Sequence, residues 1–274
     1  MLGAFRAAAS GMTAQQQLID VVSNNLANMN TPGFRAIQAR FHDLMYERVP
    51  VGGELVRNAG MAPPSPGSSP ALQDLVGTGV GLAATSRSFE PGQLLQDEDP
   101  LHLAIQGEGF FVVQTGDGGA AYTRDGSFSP DALGRLVTSS GQIVLPETRI
   151  PADAHEIRVD SGGIIFGRIG DPTSGTEVEV QLGEVQLARF TDPQGLIAVG
   201  QNLFQASENS GPALIGYPAD EGYGTIMGGA VEGSNVDLGE QMTTLLMGQR
   251  AYSFNARALQ TMDEMLGMAN NLRR

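Results

Sequence analysis

The sequence predicts an α+β fold, mainly β, in which an all-β central domain is flanked by N- and C-terminal helices that pair into one coiled-coil-like helical domain. Three observations carry that expectation. Seven of the 37 glycines fall in residues 1–50 and 230–274, thirty lie between, and proline is absent before Pro32 and after Pro218. Both residues weaken helix interiors and furnish turns, so the ends read as helical and the centre as β-rich. Charge divides the same way: four Arg against three acids give +1 in residues 1–50, four against five give −1 in residues 230–274, and the middle holds the whole −14. Apolar residues also recur at heptad spacing at both ends.

Four segments follow along the chain. Residues 1–47 form an N-terminal helical segment in which Phe5, Met12, Ile19 and Leu26 occupy one heptad row and Ala8, Val22 and Met29 the row three residues on, with Gln15 breaking it. That is a coiled-coil seam, and Asn30-Thr31-Pro32-Gly33 ends it through the pre-proline restriction and glycine. Met1 to Ala14 imitates a short signal peptide, but Arg6 and Gln15 to Gln17 argue against cleavage. Residues 48–76, with Pro63, Pro64, Pro66 and Pro70, form a Pro/Gly-rich linker that fits neither helix nor strand. Residues 77–229 read as short strands: Leu101 to Ile105 alternates, Phe110 to Val113 is a buried run, and Gly107-Glu108-Gly109 connects them tightly. Asp125-Gly126 and Ser161-Gly162-Gly163 suggest hairpins, and Val178 to Phe190 an alternating pair around Gly183. Residues 230–274 repeat the heptad design through Leu238, Met242, Leu245, Gln249, Tyr252, Ala256, Leu259, Met262, Leu266 and Ala269, with Ser234 or Asn235 as cap. With residues 1–47 they make one composite domain whose stripes are buried against each other and against the same helices of neighbouring subunits. Isolated helices of this kind are marginal in water, so the ends are expected to order on assembly.

Composition excludes several chemistries. The chain has no Cys, Trp or Lys, so thiolate metal sites, cysteine nucleophiles, Schiff bases and the Walker lysine are absent. Its acidity argues against nucleic acid and anionic membrane as partners, and no apolar run approaches the ~20 residues of a membrane span. His42, His102 and His155 lack metal-site spacing, while Asp97, Glu98, Asp99 and Asp117 do not follow a calcium-loop pattern. The Gly-x-Gly strings at Gly77 and Gly107 lack a dinucleotide fingerprint. No catalytic residue, cofactor or metal is expected.

Asn24, Asn25, Asn28 and Asn30 crowd the end of the first helix, where their amides either bond locally to backbone or bridge helices in a packed array. The string Ser23-Asn24-Asn25-Leu26-Ala27-Asn28, followed by Thr31-Pro32-Gly33-Phe34-Arg35, resembles the N-terminal signature of the axial proteins of the bacterial flagellum, the rod and hook proteins. Similar strings continue in family order: Phe41 to Tyr46, Gly77 to Val80, Ile105 to Phe111, Tyr122 to Phe128, Gly134 to Thr138, Glu232 to Val236 and Gln249 to Tyr252. Within that family the chain looks most like the distal rod branch, except that residues 49–76 are longer than the rod-specific stretch there.

The resemblance implies a structural subunit that polymerises into the distal rod and transmits motor torque to the hook, with the acidic β domain facing outward. It implies as partners the chain itself, other rod proteins, the hook protein and surrounding ring proteins. It also implies export through the flagellar type III apparatus without a cleaved signal peptide, and a place in the cell envelope, in the periplasm where an outer membrane exists. Another axial protein of the family, proximal rod or hook, is the first alternative. A β-rich carbohydrate-binding or hydrolase domain with oligomerising helices is the second.

Overall fold

The computed structural model describes residues 2–48, 75–170 and 178–271. Most of the Pro-rich 48–76 segment, including Pro63, Pro64, Pro66 and Pro70, therefore lies outside the described residues. The chain divides into two compact units: the described residues of Met1–Ser23, Gln38–Ser86 and Gly239–Arg274, and those of Asn24–Ile37 and Arg87–Leu238.

In the first unit the two ends pair as helices, α1 (Leu2–Ala27) and α2 (Leu238–Asn271). Small residues set their contact. A methyl group added at Gly11 would lie 2.8 Å from Asn255 Nδ2, and one at Gly248 would lie 3.2 Å from Ile19 Cγ1. As the α1 partner moves from 11 to 19 the α2 partner moves from 255 to 248, so the helices run antiparallel. Residues 37–47, assigned from sequence to the helical segment, instead contribute to two strands: Ile37–Asp43 pairs with Val80–Arg87, and Tyr46–Arg48 with Leu75–Gly77. Ile37, Ala39 and Phe41 alternate with polar residues, a period of two that no helix carries. Ser10 Oγ donates to the Ala7 carbonyl and accepts the Val80 N–H at 3.2 Å, anchoring that second strand to α1.

The second unit is antiparallel β. Among the described residues its largest sheet has nine strands, running from Ile197–Gly200 through Leu203–Gln205, Ala120–Thr123, Phe110–Gln114, Ile143–Val144 and Leu136–Thr138 to Phe128–Pro130, with Leu187–Arg189 and Leu214–Gly216 as a branch. Strand alternation at its centre divides the core in two. Phe111 and Val113 enter one cluster with Leu103, Ile105, Phe128 and Ile165; Phe110 and Val112 enter the other with Tyr122, Phe190 and Phe204. Edge-to-face rings close each cluster, Phe111 on Phe128 at 4.9 Å and Tyr122 on Phe190 at 4.8 Å. A separate sheet pairs Ala154–Val159, Ile164–Ile169 and Val178–Glu184, with Ser161-Gly162-Gly163 turning its first hairpin.

Two expected hairpins do not form. The strands around Asp125-Gly126 pair elsewhere, because a methyl group at Gly126 would overlap the Leu103 carbonyl oxygen: the glycine permits close approach of backbones rather than a hairpin turn. Gly183 lies inside a strand against Thr148, and the strands on either side of Val185 do not pair with each other.

The helix contact yields a prediction of opposite signs. Gly267 in α2 faces nothing within 4 Å, so Gly267→Ala stabilises by about 0.5–1 kcal/mol through helix propensity. Gly11→Leu overpacks against Asn255 and costs about 1–3 kcal/mol. Denaturation followed by helical circular dichroism reads both; a neutral Gly11→Leu contradicts the packing described.

Candidate functional site

A buried charge cluster joins segments almost two hundred residues apart in the chain. Glu232, 1% exposed, ends the strand Ala230–Glu232. Its Oε1 accepts Arg35 Nη2 at 2.7 Å and Gly92 N–H at 2.9 Å, and its Oε2 accepts Arg124 Nη1 at 3.2 Å. Its backbone carbonyl also accepts the Gly33 N–H at 2.7 Å. Arg124 then donates to the carbonyls of Gly107 at 2.6 Å and Ile105 at 3.3 Å, with its Cζ 5.4 Å from the Phe110 ring centre.

Two guanidinium groups against one carboxylate leave a buried excess of positive charge. Burial, the largest influence, lowers the Arg124 pKa to about 10; Glu232 opposes that shift and Arg35 adds to it. Arg124 therefore stays charged at neutral pH, and the cluster carries a desolvation cost that Glu232 only partly offsets. Arg35 Nε and Nη1 and Arg124 Nε have no hydrogen-bond partner among the described residues, which raises that cost further. Such a cluster specifies geometry more than it adds stability.

The signature residues assemble around it. Gly33 has φ of +68°, and a methyl group there would lie 2.5 Å from Asp125 N, so both conformation and space require glycine. The Pro32 carbonyl accepts Asn202 Nδ2 at 2.9 Å, Thr31 Oγ1 lies 3.3 Å from Asn28 Oδ1, and Phe34 is buried. Asn25, 2% exposed, behaves as a surrogate strand: its Oδ1 accepts the Ile37 N–H and its Nδ2 donates to the Ile37 carbonyl, both at 2.8 Å. Asn28 Nδ2 bonds locally to the Asn24 carbonyl at 2.9 Å; Leu26 is half-buried, and Asn24 and Ala27 are exposed. Asn235 closes the node by accepting the Ala36 N–H at 2.7 Å while donating to the Ser88 and Glu90 carbonyls, each at 3.0 Å. It acts as a tie between loops.

The seam residues are distributed unevenly. On α1, Val22 and Ala8 are buried, Met12 and Ile19 are half-buried, and Phe5 is 43% exposed; Met29, beyond the helix, is half-buried. On α2, Leu245, Tyr252, Ala256, Leu259 and Met262 are half-buried, and Leu238, Met242 and Leu266 are exposed. Sequence reasoning passed over Ala14 and Gly248, both buried on the helix pair, missed the pairing of Arg35, Arg124 and Glu232, and read Asn235 as a cap where its side chain instead bonds Ala36, Ser88 and Glu90.

The carboxylates weighed for chemistry build turns. Asp97 accepts the Glu98 N–H through Oδ1 and lies 3.0 Å from His102 Nδ1 through Oδ2, while Asp99 Oδ1 accepts the Leu101 N–H. Hydrogen bonding from His102, followed by the Glu98 N–H, holds the Asp97 carboxyl below its ordinary range. Among the described residues no group of three or more His, Asp or Glu could hold a metal, and no helix is long and apolar enough to cross a membrane.

The node knits the N-terminal signature to the C-terminal Glu-Gly-Ser-Asn string. Residues 5–35 match the flagella basal body rod protein family, residues 104–167 the flagellar hook protein FlgE/F/G D1 domain, and residues 227–272 the flagellar basal body rod FlgEFG protein C-terminal family. The class is thus that of axial rod and hook proteins. Among relatives, the flagellar basal-body rod protein FlgG of Borreliella burgdorferi is 42% identical with 100% of both chains covered. FlgG of Caulobacter vibrioides is 38% identical over 98% of this chain and 99% of its own. The flagellar hook-basal body complex protein FlhP of Bacillus subtilis is 29% identical, again with 100% of both covered. The chain belongs to the FlgG family of flagellar basal-body rod proteins and is a structural axial subunit of the flagellum.

Two predictions test the site. Glu232→Gln leaves both buried guanidinium groups facing a neutral amide and costs about 3–5 kcal/mol in urea unfolding, whereas a loss below about 1 kcal/mol contradicts the node. For Asp97, a lowered folded pKa means a stabilising contribution present above the ordinary carboxylate value and lost as pH falls through the lowered one. His102→Ala is expected to return the Asp97 titration, followed by carboxyl NMR, upward toward the ordinary value; an unmoved titration contradicts the His102 contact.

Proposed function

We propose that the chain polymerises through its terminal helices into the distal rod, a helical homopolymer that carries motor torque to the hook. The observation that carries this is an uncovered apolar stripe on α2. Met247, Phe254 and Met265 are 63%, 67% and 46% exposed and follow one another at seven and eleven residues, two and three helical turns. They lie on another side of α2 from Gly248 and Asn255, which face α1. A stripe of large apolar residues on a helix already packed along another face suits helices of further subunits. Heterologous contacts of that kind, when their rotation does not close, generate a helical polymer.

In this reading the work is mechanical rather than catalytic, and the half-exposed seam positions Phe5, Leu238, Met242 and Leu266 join the subunit interface. The partners are further copies, neighbouring rod proteins, the hook protein and the ring around the rod. The place is the cell envelope, in the periplasm where an outer membrane exists, reached through the flagellar export apparatus without signal-peptide cleavage.

The combined change Met247→Asp and Phe254→Asp is expected to leave monomer unfolding within about 0.5 kcal/mol, as for exposed positions, while abolishing sedimentable polymer. A variant that sediments like its parent contradicts the interface. In cells, loss of the gene is expected to leave basal bodies that end at the proximal rod, seen by electron microscopy; intact rods with only the hook missing favour the hook alternative.

A further inference from the structure

Within the second unit, a pocket of about 290 Å³ lies between Asn24 and Asn28 on one side and, on the other, the turn joining the strands Ile197–Gly200 and Leu203–Gln205. Phe34, Phe204 and Arg87 line it with the amide side chains, and no carboxylate is among its lining residues. The Arg87 guanidinium carbon sits 5.6 Å from the Phe204 ring centre and 5.9 Å from that of Phe34. Its Nη1 makes a long bond of 3.4 Å to the Arg35 carbonyl. Arg35 and Arg124 share Glu232, but among the described residues no carboxylate lies within ion-pair distance of Arg87. Burial alone lowers its pKa, with no acid opposing the shift.

The turn is built to hold amides at this place. Gln201 and Asn202 have φ of 53° and 56°, the left-handed region that glutamine rarely adopts. Asn202 is fixed by its bond to the Pro32 carbonyl, and Gln201 Oε1 accepts Gln142 Nε2 at 3.1 Å, which leaves the Gln201 amide hydrogens free to donate. A guanidinium stacked on two rings, beside amide donors and without a counter-ion, has the chemistry of a carboxylate receptor.

We propose that this pocket receives an Asp or Glu side chain of a second copy of the chain, a charged contact between subunits; the inference rests on the homopolymer reading. Charge complementarity selects the occupant. Each copy carries 30 Asp and Glu against 16 Arg, so every neighbour presents surplus carboxylates while the pocket offers a cation with no carboxylate partner among the described residues. A heterologous contact also brings a different surface of the next copy to this one, so donor and receptor need not coincide on one face.

The test uses the full-length chain with a photoreactive benzoylphenylalanine at position 201, copolymerised from equal parts of nitrogen-14 and nitrogen-15 protein. Irradiation is expected to give mixed-isotope cross-links from position 201 to a peptide carrying Asp or Glu at the contact. In parallel, Arg87→Gln is expected to raise the critical concentration for polymerisation about tenfold or more, the effect diminishing in high salt. Should Arg87→Gln fail to fold, the cross-link, which keeps Arg87, decides alone. Single-isotope cross-links only, attachment to a segment without acids, or polymer without cross-links overturns the contact and leaves the homopolymer reading standing. A parent chain that forms no polymer overturns both.

Discussion

One buried carboxylate holds the second unit in register. Glu232 accepts hydrogen bonds from Arg35, Arg124 and the Gly92 N–H through its side chain and from Gly33 through its backbone, so three separate stretches of chain meet on a single residue. Burying two guanidinium groups around it is costly, and a hydrophobic cluster of the same volume would match or exceed its stability. What it adds is uniqueness: only one arrangement of the signature loop, the Tyr122-Thr123-Arg124 strand end and the return of the chain toward α2 satisfies that charge. For a structural axial subunit, a single arrangement matters more than a few kcal/mol.

The signature asparagines and glycine serve the same end. Asn25 makes the bonds of a strand neighbour to Ile37, and Gly33 allows two backbones to approach where any side chain would collide. The first unit solves a different problem. Its helices meet through Gly11 and Gly248, small enough for close approach, which leaves the larger residues of α2 on other faces. Close packing inside the subunit and apolar surface outside it thus come from the same distribution of side-chain size.

Much of this was legible in the sequence. Heptad spacing located both helices, the Phe110 to Val113 run located the central strand, and Ser161-Gly162-Gly163 located a true hairpin. The failures have physical causes. Gly126 and Gly183 look like turn glycines but exist because Leu103 and Thr148 press against them, a tertiary fact that local pattern cannot carry. The alternation Ile37, Ala39, Phe41 was readable, yet fell inside a segment assigned to helix on composition. Arg35, Arg124 and Glu232 stood within the very strings that carried the family resemblance, but pairing charges 197 residues apart in the chain needs the fold. Phe5, on the heptad row assigned to the subunit interface, is a side chain that the subunit alone does not cover.

The central claim is that Arg35 and Glu232 act as one unit, and a double-mutant cycle measures that directly. Unfolding free energies of the parent, Arg35→Met, Glu232→Met and the pair together give the coupling between the two sites. The account predicts a coupling of about 1.5–3 kcal/mol, with the paired replacement far less damaging than the two single losses added. A coupling near zero, with additive single effects, would contradict it.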